Sequence, residues 1–315
     1  MKKKIVGTVG AVLGLLAITE AGASAYFYRI ALKRNQAKVE RTMKMSGTDW
    51  SQYIPKLQPR KERLLEQPKE DVYLESEDGL KLHATWIPNE GAKKVVVCFH
   101  GYTSEGMQDY VGLSDYYLNH GFAMLLVDER AHGKSEGQYI GFGSKDRFDA
   151  LLWMKWVVDT CGDDVQILLH GTSMGGTTVL MSAGLNLPVQ VKGIVSDCAF
   201  TTAKAVFTHV LHSMYHLPAF PIIQIADVVN KRKAGYGLDE CDAAVEAGNA
   251  KVPILLIHGD ADFFVPCKMC EEIYQHCAPG TRKLILKGAS HAESYYKDTE
   301  QYEQALDEFI GGIIK

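Results

Sequence analysis

Ser173 lies between two glycines in Gly171-Thr172-Ser173-Met174-Gly175, and Gly176 follows. The run before it, Val165-Gln166-Ile167-Leu168-Leu169-His170, reads as a buried strand, and a helix is expected from Met174. Strand, sharp turn and helix is the setting in which G-x-S-x-G carries chemistry. The turn strains the backbone at the serine and exposes its hydroxyl above the sheet. Glycines at both flanks avoid clashes with the neighbouring strand and helix. The helix N-terminus beneath favours developing negative charge. The same five residues could also be a tight turn whose serine caps a helix, so the reading depends on partners.

A hydroxyl nucleophile needs a base, and the base needs an acid to orient it. His258-Gly259-Asp260-Ala261-Asp262 follows the apolar run 253–257, and Gly288-Ala289-Ser290-His291 follows the run 283–287. Both groups fall just past the C-terminal ends of expected strands, the edge where parallel α/β sheets place their sites. His291 is the expected base and Asp262 its orienting acid, with Asp260 and Asp197 as rivals. An oxyanion needs two fixed donors. The backbone N–H of Met174 is one, and that of Tyr102, in His100-Gly101-Tyr102-Thr103-Ser104, is the candidate for the other. This set points to acyl transfer through an acyl-serine, chemistry that needs neither metal nor cofactor.

Elements able to position these residues recur along the chain. Strands are expected at 71–75, 80–87, 94–99, 122–128, 165–170, 191–197, 253–258 and 283–287. Helices are expected at 146–160, 174–183, 266–277 and 299–310. Val-, Ile- and Leu-rich strands alternating with helices predict a mostly parallel eight-stranded sheet covered on both faces, with an antiparallel hairpin first. Residues 200–236 are apolar and aromatic, broken by Pro218 and Pro221, and read as a short helical lid insertion.

These motifs together resemble the α/β-hydrolase superfamily, nearest the branch holding monoacylglycerol lipase-like enzymes and serine aminopeptidase-like hydrolases. The matching stretches are His100-Gly101-Tyr102-Thr103, Asp128-Glu129-Arg130-Ala131-His132-Gly133-Lys134-Ser135, Gly171-Thr172-Ser173-Met174-Gly175-Gly176, His258-Gly259-Asp260-Ala261-Asp262 and Gly288-Ala289-Ser290-His291. They span residues 71–315 in family order. The resemblance implies an α/β-hydrolase fold in which the 128–135 loop is structural and borders the site. Ala131 stands where the family usually has glycine, and the lid is short for a true lipase. The expected activity is carboxylesterase-like hydrolysis of esters of small to medium acyl groups. An amidase or aminopeptidase could use the same triad, and a binding protein on a retired scaffold is the third reading.

The whole chain has 315 residues, 46% hydrophobic and 23% charged, enough for a large core. A net charge of −4 gives no ground for a nucleic-acid partner. Seven cysteines are an odd count, and Cys267-x-x-Cys270 has no second pair, so packing is the favoured reading. His209, His212 and His216 share a helical side without a carboxylate and read as a solvated or pocket-rim face. Lys2, Lys3 and Lys4 precede the apolar stretch 5–18. Residues 1–28 are read as a membrane anchor with Tyr26, Phe27 and Tyr28 at the interface, or alternatively as a signal peptide cleaved near Ala23-Ser24-Ala25. The first places the protein at a membrane by a single span, the second outside the cell. Residues 29–70 read as a juxtamembrane spacer with some helix ending near Pro59.

Overall fold

Eight short runs, most of them rich in Val, Ile and Leu, assemble into one sheet. A computed structural model describes Gly22, Tyr28, Arg29, residues 31–34 and residues 47–315. The chain enters through helix α1 (Ile54–Glu66) and then forms the hairpin β1 (Glu70–Glu75) and β2 (Lys81–Ile87). Next come β3 (Lys94–Phe99), α2 (Gly106–Asp109), α3 (Val111–Asn119), β4 (Phe122–Asp128), α4 (Asp146–Cys161), β5 (Gln166–Thr172) and α5 (Met174–Ser182). The remainder is β6 (Val191–Asp197), α6 (Ala203–Met214), α7 (Ile222–Lys233), α8 (Ala243–Gly248), β7 (Ile254–Gly259), α9 (Lys268–His276), β8 (Arg282–Leu286), α10 (Ser294–Lys297) and α11 (Thr299–Ile313).

The strand order is β1-β2-β4-β3-β5-β6-β7-β8. β2 pairs antiparallel with β1 and β4, and every later pairing is parallel. β4 and β7 are buried at every position, as strands covered on both faces must be. Alternate residues of β3 feed two cores. Val95, Val97 and Phe99 meet Trp153 and Met154 of α4 and Val179 of α5. Val96 and Cys98 share the other face with Tyr117 of α3 and Leu306 and Phe309 of α11. This two-sided burial is what makes the mostly parallel sheet stable, at roughly 25 cal/mol for each Å² of apolar surface removed from water.

Helices α2 and α3 were not expected. Gly106 and Gly112 weaken the helical pattern there, yet tertiary packing requires both. A Cβ on Gly106 would lie 2.8 Å from the backbone of Leu126, and one on Gly112 would lie 2.6 Å from the Tyr296 hydroxyl. Glycine lets this pair of helices sit directly on β4 and on Tyr296 of α10.

The stretch expected to be a spacer is packed against the domain. Leu64 of α1 is buried in the core that also holds Tyr110, Val111 and Leu113. α1 does not end near Pro59 but runs through it to Glu66. Contact with α3 outweighs the hydrogen bond that a proline removes. Further upstream, Lys33 bridges to Tyr139, and Arg34 donates to the carbonyls of Gly133 and Ser135 at 2.6 and 2.5 Å. Tyr28 lies against the same loop. It is 8% exposed and packs 6.1 Å from the Tyr139 ring. Apart from Gly22 and Tyr28, the expected anchor or signal at residues 1–28 lies outside the described residues. Among the described residues no helix is long and apolar enough to cross a membrane.

Candidate active site

The turn from β5 into α5 carries Ser173 at φ +55° and ψ −113°, a conformation costly for a residue with a Cβ. Main-chain hydrogen bonds hold it there. Ser173 N donates to Asp197 O on β6 at 2.8 Å, and Gly175 N donates to His100 O after β3 at 3.0 Å. The flanking glycines are obligatory. A Cβ on Gly171 would lie 2.1 Å from Gly175 O, and one on Gly175 would lie 2.0 Å from Phe99 O.

The serine hydroxyl lies 2.8 Å from His291 Nε2. His291 Nδ1 lies 2.7 Å from Asp262 Oδ2. The other Asp262 oxygen accepts the amides of Phe264 and Val265 at 2.9 and 2.8 Å. All three side chains are buried. Burial works to raise the Asp262 carboxyl, but the neighbouring His291 and hydrogen bonds from His258 and His291 outweigh it and hold the group well below its usual range. An ionised carboxylate so placed favours the Nδ1–H tautomer of His291, which leaves Nε2 to accept the serine proton.

The two rival acids go elsewhere. Asp260 is exposed and accepts Gly288 N at 2.6 Å. Asp197 is buried and accepts from Ser294 Oγ at 3.1 Å and from the Tyr302 hydroxyl at 3.2 Å. Burial pushes its carboxyl up to about 6, against the opposing charge of His258 and these hydrogen bonds.

On the opposite side of the serine, the loop after β3 is tightly held. Gly101 N donates to Asp109 Oδ2 at 2.6 Å, and Thr103 N donates to His132 Nε2 at 3.2 Å. A Cβ on Gly101 would sit 3.5 Å from Ser173 Cβ, so this backbone lies against the serine. Tyr102 lines the cavity beside Ser173, and Met174 opens α5 directly after it. The Tyr102 hydroxyl turns away and donates to Ala31 O at 2.8 Å.

The loop from β4 is braced from within. Asp128 accepts from His83 Nδ1 at 2.7 Å and from Lys134 N at 2.9 Å. Gly133, at φ +46°, has no room for a Cβ beside that carboxylate. Ala131 adopts φ +63°, the left-handed conformation that a glycine would occupy without strain.

Several groups around the site left no readable signal in the sequence. His258 lies 3.3 Å from Asp262 Oδ2 and 2.8 Å from Val265 O through the same nitrogen. Glu293 accepts Ser290 N at 2.8 Å and the Tyr53 hydroxyl at 2.5 Å, bracing the loop on both sides of His291. Cys198 Sγ lies within 4.8 Å of ligand atoms of Asp262 and His291. The helical histidines do not converge: His209 Nε2 meets Phe263 O at 2.8 Å, while His212 Nε2 accepts Ala219 N at 3.2 Å. All seven cysteines are free, Cys267 and Cys270 included.

Ser173 and His291 open into a cavity of about 490 Å³. Among the described residues its walls come from within 50–61 and 101–113, from Thr172, Ser173, Asp197 and Phe264, and from within 291–302. The expected lid, 200–236, contributes none of them. Its Phe200, Phe207, Ile222 and Ile223 are buried instead with Phe142, Val265 and Met269 in a core of their own.

A family model described as serine aminopeptidase, S33, matches residues 90–232, from the approach to β3 to the end of α7. Uncharacterized protein YqkD of Bacillus subtilis is 27% identical over 228 residues, 72% of this chain and 73% of that protein. Uncharacterized protein YfhR of Escherichia coli K12 is 22% identical over 250 residues, 76% of this chain and 80% of that one. Among solved structures, the Pyrococcus furiosus esterase Pf2001 superposes with a TM-score of 0.66 at 23% identity, covering 81% of this chain and 94% of its own. A dienelactone hydrolase from Anabaena variabilis gives 0.56 at 16% identity, covering 79% and 99%. Neighbours and strand order agree on the α/β-hydrolase fold, and within it residues 90–232 are similar to the serine aminopeptidase family.

Proposed function

We propose that the protein is a serine hydrolase that cleaves carboxylic esters of small to medium acyl groups. Ser173 attacks the acyl carbon while His291 takes its proton, and the amides of Met174 and Tyr102 receive the oxyanion. The ester C–O bond then breaks and the alcohol leaves with the proton from His291. Water, deprotonated by the same imidazole, releases the acid and restores Ser173. Asp262 stabilises the imidazolium throughout. The observation that carries this reading is the continuous hydrogen-bonded line from Ser173 Oγ through His291 to Asp262, at 2.8 and 2.7 Å.

Turnover of p-nitrophenyl butyrate by the purified enzyme tests it. Ser173→Ala should abolish both turnover and labelling by a fluorophosphonate probe while thermal unfolding stays cooperative. Full activity in that variant would overturn the assignment. The family description favours a second reading, hydrolysis of aminoacyl amides by the same residues, and parallel assays on aminoacyl-p-nitroanilides separate the two. Membrane association through residues 1–28 is proposed on the sequence alone, and protease shaving of intact cells tests it.

A further inference from the structure

The segment upstream of the sheet does more than connect. Two tethers tie it to the loop that carries the base. Thr48 Oγ1 donates to the main-chain carbonyl of His291 at 2.9 Å. The Tyr53 hydroxyl reaches Glu293, which in turn holds Ser290 N. Trp50 packs edge-on against Tyr296 with ring centres 5.3 Å apart. A third tether runs to the other side of the cavity, where Arg60 of α1 donates to Gly112 O at 2.6 Å and to the Tyr295 hydroxyl at 2.8 Å. Residues 48–60 therefore span from the histidine loop to α3 as a strap, and its Trp50, Ile54 and Leu57 face the cavity that holds Ser173.

The surface these side chains meet is also apolar, through Val111 and Leu113 of α3. Ile54 is 59% exposed and lines the cavity with Trp50 and Leu57, so the strap presents apolar surface there. A cavity of about 490 Å³ has room for an ester with an acyl chain of several carbons.

Resting on the serine hydrolase reading above, we propose that the strap is the acyl-chain wall of this enzyme, and that Leu57, Trp50 and Ile54 set the length of a medium, unbranched acyl group. The specificity-determining residues then lie outside the stretch that resembles the family model, 90–232, and upstream of the first strand. The same strap is tied to the main chain at His291 through Thr48.

A graded series of p-nitrophenyl esters, acetate to laurate, tests the proposal in the full chain. Each methylene that gains burial should raise kcat/KM roughly fourfold until the wall is met, after which the value falls. In Leu57→Ala and Trp50→Ala the break should move to chains at least two carbons longer, and in Leu57→Trp to shorter ones. If the break stays at the same carbon in all three variants while each remains folded and active, the strap is not the wall. Binding of octanoate to Ser173→Ala, followed by calorimetry, needs no turnover. Binding that weakens at least tenfold when Leu57→Trp is added supports the wall, and unchanged binding overturns it. If wild type and Ser173→Ala were equally active on esters, the serine assignment would fail while the octanoate measurement still judged the wall.

Discussion

Ser173 N donates to the main-chain carbonyl of Asp197 at 2.8 Å, so the elbow is pinned to the neighbouring strand by its own backbone. The serine sits at a positive φ because this bond, the Gly175–His100 bond and two side-chain-free positions leave it no other conformation. The placement of the Ser173 hydroxyl thus depends on main-chain contacts to His100 and Asp197.

Gly175→Ala tests that dependence. The added Cβ would meet Phe99 O at 2.0 Å, and the obstacle is a central strand that cannot step aside. We expect a loss of at least ~3 kcal/mol in urea unfolding, seen as a lower midpoint or as insoluble protein. Stability within 1 kcal/mol of wild type, with activity kept, would contradict the close approach.

The acids should separate sharply in kinetics. Asp262→Asn removes the charge that selects the His291 tautomer, and kcat should fall by about 10³–10⁴-fold. Asp260→Asn alters an exposed side chain bonded to Gly288 N, so kcat/KM should stay within about threefold of wild type. Equal losses in the two variants would mean that the partner of His291 has been misassigned.

Asp197 makes a prediction about pH and stability. Its folded-state carboxyl is pushed up to about 6 from its ordinary 3.8. A carboxyl raised in this way binds its proton more tightly when folded, so its contribution is most favourable below about pH 4 and declines as pH rises to about 6. The change is roughly 3 kcal/mol. Urea midpoints of wild type and Asp197→Asn should diverge across that window, with the variant gaining relative stability as pH rises. Parallel curves would remove the premise.

His170 acts with the opposite sign. Its ring lies between the hydroxyls of Tyr117 at 2.6 Å and Tyr302 at 3.2 Å, and burial lowers it to about 3. The unfolded chain binds the proton first, so stability should fall as pH drops from about 6.5 toward 3, by up to about 1.4 kcal/mol for each unit. In His170→Gln that one-proton slope should vanish between pH 6.5 and 5, whatever the variant costs at neutral pH. A slope identical to wild type would assign the proton uptake elsewhere.

Local patterns carried far along this chain. Runs of five to eight residues located all eight strands to within two residues; the inner ones, such as β4 and β7, stand out because a strand buried on both faces can contain little but apolar residues. The glycines around Ser173 announced the turn because no other residue fits there. The order of serine, acid and histidine was readable for a similar reason: each lies just past the end of a parallel strand, and those ends share one edge.

What lay beyond reach of local pattern were relationships across the chain. Asp260 and Asp262 differ by two positions, and the turn that sends one to solvent and the other to His291 is settled by amides and packing around Val265. Residues 200–236 were apolar enough to cover a site, but their side chains bury one another. Residues 48–60 looked polar and unpatterned, yet they wall the cavity, because their partners, Gly112, Glu293 and Tyr295, are brought to them by the fold rather than by proximity in sequence. Periodicity reports which face of an element is buried; it holds no record of which distant element will cover it.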